Sequence, residues 1–195
     1  DFVDATRIGV TGHSMGGGYA DKTAKYYTEL AALGAGENKI AAALIVGNVP
    51  SGLQETAPYD CELGIIAGRF DEFFIVTVKG TMTTILDNPI AKGLFSLQTG
   101  TEVTDTIVEG QRYVNPETGF GIRLWSPWQT HPWNHFSKTA CAEAMEFFSD
   151  ALGAPVSITP TNQIWQIKEL FNCIALLGFF LLLVPLAECL MGTRF

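Results

Sequence analysis

The stretch Gly12-His13-Ser14-Met15-Gly16-Gly17 constrains the fold of this chain more than any other. An apolar run, Arg7-Ile8-Gly9-Val10-Thr11, leads into it, and residues 18–33 leave it with apolar positions at helical spacing. A strand passing into a helix through a glycine-flanked serine must turn sharply. The turn strains the serine backbone and lifts its hydroxyl clear of the sheet. Gly12 and Gly16 are expected where side chains would collide across that turn. At the start of the helix, free backbone N–H groups and the positive dipole end face whatever meets the hydroxyl. The plainer alternative is a Gly/Ser connector, but His13, Met15, the third glycine and the flanks favour the strained turn.

The chain has 195 residues, 47% of them apolar, enough for one domain with a sizeable core and an appendage. Its net charge is −8 with 12 basic residues and no basic stripe, which argues against a nucleic-acid partner. Cys61, Cys141, Cys173 and Cys189 are scattered without C-x-x-C spacing, so neither a disulfide framework nor a zinc site is indicated.

Residues 40–46 (IAAALIV) and 62–68 (ELGIIAG) are short continuous apolar runs, as expected of strands covered on both faces of a parallel sheet. Residues 47–52 break the first of them. Alternating with helical segments, such runs argue for βαβ units. Between residues 72 and 120 the pattern weakens: 81–86 and 101–109 are β-branched, and Asn88-Pro89 and Asn115-Pro116 signal turns. This part reads as an insertion, either a cap over a pocket or a surface loop. Residues 121–128 (GIRLWSPW) supply a last strand despite Pro127, and 137–152 form an amphipathic helix with Ser137 as its N-cap.

A Pro/Ser/Thr-rich linker follows, and residues 153–168 are assigned to it. The run from Leu170 to Ala187 then carries no charge until Glu188, which meets the usual requirement for a membrane-spanning helix, here placed at 169–191. Trp165 and Lys168 stand before it as interfacial anchors do, and Pro185 is tolerated in lipid. The expectation is therefore membrane anchoring through the bilayer, the alternative being an apolar helix buried in the protein. Lys168 and Arg194 flank the run evenly and set no orientation.

The motif Gly12-His13-Ser14-Met15-Gly16-Gly17, with Gly68-Arg69-Phe70-Asp71 and His131 downstream, resembles the α/β-hydrolase superfamily. It looks most like the bacterial esterase, lipase and dienelactone-hydrolase-like branch. The resemblance covers about residues 1–152 and implies an α/β class fold, a mostly parallel sheet flanked by helices. Only the C-terminal portion of the usual hydrolase fold is supplied, so a longer protein with its first strands ahead of residue 1 is expected. One oxyanion donor of the family would lie in that preceding part.

What the resemblance implies for chemistry is a nucleophile, acid and base in that chain order. Ser14 is the nucleophile. Asp71, just past the strand that ends at Ile65-Ile66-Ala67, is the acid; Asp60 and Glu72 are weaker candidates, and Asn48 cannot be ionised. The base belongs on the loop after the last strand, where His131 is favoured and His135 is the alternative. His13 lies within the turn itself, where its ring packs or hydrogen-bonds. The spacing of His131 and His135 also suits two metal ligands on a helix, but Pro132 and the lack of a nearby glutamate motif speak against it. The backbone N–H of Met15 would stabilise an oxyanion. The expectation is a serine hydrolase cleaving a carboxylic ester, of a small molecule or a lipid, with no metal or organic cofactor. Trp125, Trp128 and Trp133 would wall an apolar pocket or sit in the core. The rivals are a non-catalytic binding module of the same fold and an accessory domain of a larger membrane protein.

Overall fold

In the computed structural model, residues 3–50, 57–73, 76–78, 81–153 and 157–192 are described. Residues 51–52 of the expected break, 74–75 and 79–80 of the insertion, 154–156 of the linker, and Arg194 lie outside them. The chain divides into two units, Asp1–Pro160 and Thr161–Phe195.

The first unit is built on a five-stranded sheet of order β1-β2-β3-β7-β6. Strands β1 (Ile8–His13), β2 (Ile40–Val46), β3 (Glu62–Ile66) and β7 (Gly121–Trp125) run parallel, and β6 (Tyr113–Val114) pairs antiparallel with β7. The continuous apolar runs are strands covered on both faces, and the period of two sorts their side chains. Ala43 and Ile45 of β2, Leu63 and Ile65 of β3, and Ile122 and Leu124 of β7 join one buried cluster. Ala24 of helix α1 (Met15–Ala32) and Ala91, Leu94 and Phe95 of helix α2 (Pro89–Thr99) close it. Ala42, Leu44, Ile66 and Trp125 face the other way, onto Ala140 and Phe147 of helix α3 (Lys138–Leu152). The result is a mixed α/β sheet with helices on both sides.

Glycine spacing lets α3 approach. A Cβ at Gly64 would come within 2.8 Å of the Phe147 ring, and one at Gly9 within 2.6 Å of Phe148. Phe147 is buried against Trp125, with ring centroids 6.1 Å apart. Truncating it to alanine would cost on the order of 3–5 kcal/mol.

Several boundaries differ from expectation. Helix α1 starts at Met15, directly after the serine, and β7 stops at Trp125, ahead of Pro127. Asn88-Pro89, read as a turn, is a helix start: the Asn88 side chain accepts from the Ile90 N–H at 2.8 Å and Pro89 takes the first helical position. Gly100, at φ 69°, ends that helix. The β-branched segment forms one short strand, β5 (Thr81–Thr83), paired antiparallel with β4 (Val76–Val78), while 101–109 carries no strand. Ser137 caps α3 as expected, accepting from the Ala140 N–H.

The second unit holds helix α4, Trp165–Gly192, which starts inside the stretch assigned to the linker. Its apolar window has a mean hydropathy of 2.5, and none of its residues is buried. At 1.5 Å per residue the helix is about 42 Å long, enough to cross a bilayer. It is not a helix packed into a core.

Candidate active site

Parallel strands bring their C-terminal ends to one edge of the sheet, and three side chains arrive there by different routes. Ser14 follows β1, Asp71 lies a short turn beyond β3, and His131 lies beyond β7. This edge is where open parallel sheets bind ligands. Ser14 Oγ lies 2.8 Å from His131 Nε2, and His131 Nδ1 lies 2.9 Å from Asp71 Oδ2. With Nδ1–H donating to the carboxylate, Nε2 is left to accept from the serine hydroxyl. Asp71 is fully buried and His131 half-buried, while Met15 beside the serine is 77% exposed.

The turn at Ser14 is strained. With φ 56° and ψ −116° it is the one non-glycine residue with positive φ among those described. Such a conformation costs about 1–3 kcal/mol and persists only where neighbours over-determine it. Here Ser14 N–H donates to the Val46 carbonyl at 2.8 Å, and the Ser14 carbonyl accepts from Gly18 N–H and Asn48 Nδ2, each at 3.1 Å. A Cβ on Gly12 would come within 2.3 Å of the Gly16 backbone, so glycine is obligatory there. The expectation for Gly16 is corrected: a Cβ on it meets nothing within 4 Å among the described residues. The close approach falls instead at Gly17, whose Cβ would press on the Gly12 and Val46 carbonyl oxygens at 3.0 Å.

The loops that carry Asp71 and His131 are fastened to each other. Arg69 N–H donates to the Pro127 carbonyl at 2.8 Å and Phe70 N–H to the Gln129 carbonyl at 3.0 Å. This zip needs Gly68, since a Cβ there would come within 2.4 Å of the Gln129 oxygen. Asp71 Oδ1 accepts from the Phe73 N–H, and Oδ2 also accepts from Asn134 Nδ2 at 3.4 Å. The Phe73 ring stands edge-on to His131, with centroids 4.7 Å apart.

The other candidates fall elsewhere. His135 is exposed, its ring beside His13 at 4.6 Å, and Ser14 has its bond to His131 instead. Asp60 lies ahead of β3, and Glu72 is exposed. His13 hydrogen-bonds to the main chain of His131, and burial lowers its pKa below the usual histidine value. The three histidines meet, yet among the described residues no group of His, Cys, Asp and Glu is placed to hold a metal ion. Trp125 belongs to the core, while Trp128 and Trp133 are exposed.

Asn48, Asn134 and Phe73 join the site without a sequence motif that marks them as its partners. Their roles arise from contacts between loops far apart in the chain, and only the position of Asn48 just after a strand end marked it. A cavity of about 580 Å³ lies at the opposite, N-terminal end of the strands. Its arginines are each paired, Arg112 with Glu62 and Arg123 with Asp150, and it is remote from the Ser14 edge.

Compared with known proteins, the chain matches no family model, no curated protein and no solved structure.

Proposed function

We propose that this protein is a serine hydrolase that cleaves a carboxylic ester through an acyl-enzyme, on a partial α/β-hydrolase fold held at a membrane by α4. The observation that carries the reading is the Ser14–His131–Asp71 hydrogen-bond chain on a strained turn at the C-terminal sheet edge. The four parallel strands in sequential order, with the serine after the first and the acid and base after later ones, support the fold assignment.

In this mechanism Ser14 Oγ attacks the ester carbonyl carbon while His131 Nε2 takes its proton. Buried Asp71 orients the ring and stabilises the imidazolium. The carbonyl oxygen, now an anion, meets the backbone N–H of Met15 at the start of α1. His131 then returns the proton to the departing alkoxide. Water, deprotonated by the same base, attacks the acyl-serine, which releases the acid and restores Ser14. The exposed rings of Phe70, Phe73, Trp128 and Trp133 on the acid and base loops suit an apolar acyl group.

The test is covalent labelling of the full chain in detergent by a fluorophosphonate. Wild type and His135→Ala are expected to label, whereas Ser14→Ala and His131→Ala lose at least about 10³-fold in rate. A folded wild type that does not label contradicts the proposal, and loss in His135→Ala alone among the histidine variants moves the base to that residue.

A further inference from the structure

The base sits on a largely exposed 3-10 segment of about two turns. His131 opens this 3-10 helix, His131–Phe136, of which Asn134 alone is buried, and Trp133, His135 and Phe136 are exposed. Its ring is held by Asp71 and Ser14, but the bond to Ser14 is broken in each turnover of the mechanism above. Asp71 then holds the ring at Nδ1, and a grip on the His131 main chain adds a second point of restraint.

The main chain of His131 is gripped from the serine turn. His13 Nε2 lies 2.9 Å from the His131 carbonyl oxygen, and because that oxygen can only accept, Nε2 carries the proton. Asn134 Nδ2 approaches the same oxygen at 3.3 Å, a weaker contact from within the base loop. The two imidazoles lie with centroids 5.0 Å apart over Gly47. A Cβ at Gly47, which has φ 59°, would stand 2.9 Å from His13 Nε2 and 3.2 Å from His131 Cε1. No side chain fits there, so the residue after β2 leaves the room this contact needs.

Resting on the hydrolase reading, we propose that His13 is a positioning residue: by donating Nε2–H to the His131 carbonyl it ties the base loop to the nucleophile turn and holds His131 aligned when its bond to Ser14 is broken. His13 touches neither the serine hydroxyl nor the carboxylate, and it acts through His131. The titratable groups facing it are His131, His135 and Asp71. A neutral His13 suits this place, since His131 becomes an imidazolium 5.0 Å away during the reaction. Burial favours that neutral form.

Two variants separate the hydrogen bond from packing. His13→Phe keeps a flat ring without a donor, and His13→Gln keeps an N–H donor of similar reach. With p-nitrophenyl butyrate and the full chain in detergent, His13→Phe is expected to lower kcat between about 10- and 100-fold, as small misplacements do, with KM within about twofold. His13→Gln is expected to recover most of that loss. Three outcomes overturn the proposal: unchanged kcat in His13→Phe, a change confined to KM, or equal losses in both variants. A nitrogen-proton NMR spectrum of the His131 ring keeps the test independent of turnover. It should show one Nδ1–H tautomer in wild type and His13→Gln, and exchange broadening in His13→Phe. Should the wild type neither label nor hydrolyse the ester, the hydrolase reading fails by itself, and an unchanged His131 spectrum in His13→Phe then also overturns the positioning role.

Discussion

Ser14 holds a backbone conformation that a side chain resists, and its neighbours supply three hydrogen bonds to keep it there. Glycine adopts positive φ without that penalty. Ser14→Gly is therefore expected to raise stability by about 1 kcal/mol while abolishing phosphonate labelling. Urea unfolding of both proteins measures this, and a glycine variant less stable than wild type contradicts the strain assignment. Ser14, Asp71 and His131 were legible because each follows a strand whose apolar run is visible in the sequence. The grip of Asn48 on the Ser14 carbonyl and of Asn134 on Asp71 was not. An asparagine carries no period, and its partner is set by which loops the sheet brings together. Gly16 is the opposite case: the sequence pattern marks it, but the steric need lies at Gly12 and Gly17.

At the scale of elements, the parallel strands and α3 were readable from apolar runs and from the Ser137 cap, whereas α2 was not. Asn-Pro marks a turn and a helix start alike, and the tertiary contacts of Ala91, Leu94 and Phe95 decide between them. Helix α3 carries one group that packing leaves in difficulty. The Glu143 Oε2 atom is buried without a hydrogen-bond partner among the described residues, and burial first, then the charges of Glu109 and Glu146, push its carboxyl up to about 7 from 4.5. For an acid whose folded pKa is raised, the native state binds more protons than the unfolded chain between those two values. Stability is then highest below pH 4.5, falls as pH rises to 7, and is flat above, as far as this group is concerned. Glu143→Gln is expected to raise the thermal midpoint at pH 8, leave it unchanged at pH 4, and flatten the slope between. An equal shift at both pH values contradicts this origin.

For the whole molecule, the sheet unit carries the candidate chemistry and α4 carries the apolar length, both visible in the sequence as separate signals. Exposed apolar residues all along α4 call for lipid or detergent. The full chain expressed in cells is expected to stay with membranes through alkaline carbonate washing, and release into the supernatant contradicts the anchor. On the proposed mechanism the strained serine is a nucleophile activated by His131. The most direct measurement of this is mass-spectrometric mapping of the fluorophosphonate adduct on the folded full chain. One phosphonyl group per chain is expected, carried on Ser14 in the peptide that contains Gly12 to Gly17. No adduct on a folded chain, or an adduct on another residue with Ser14 unmodified, would contradict it.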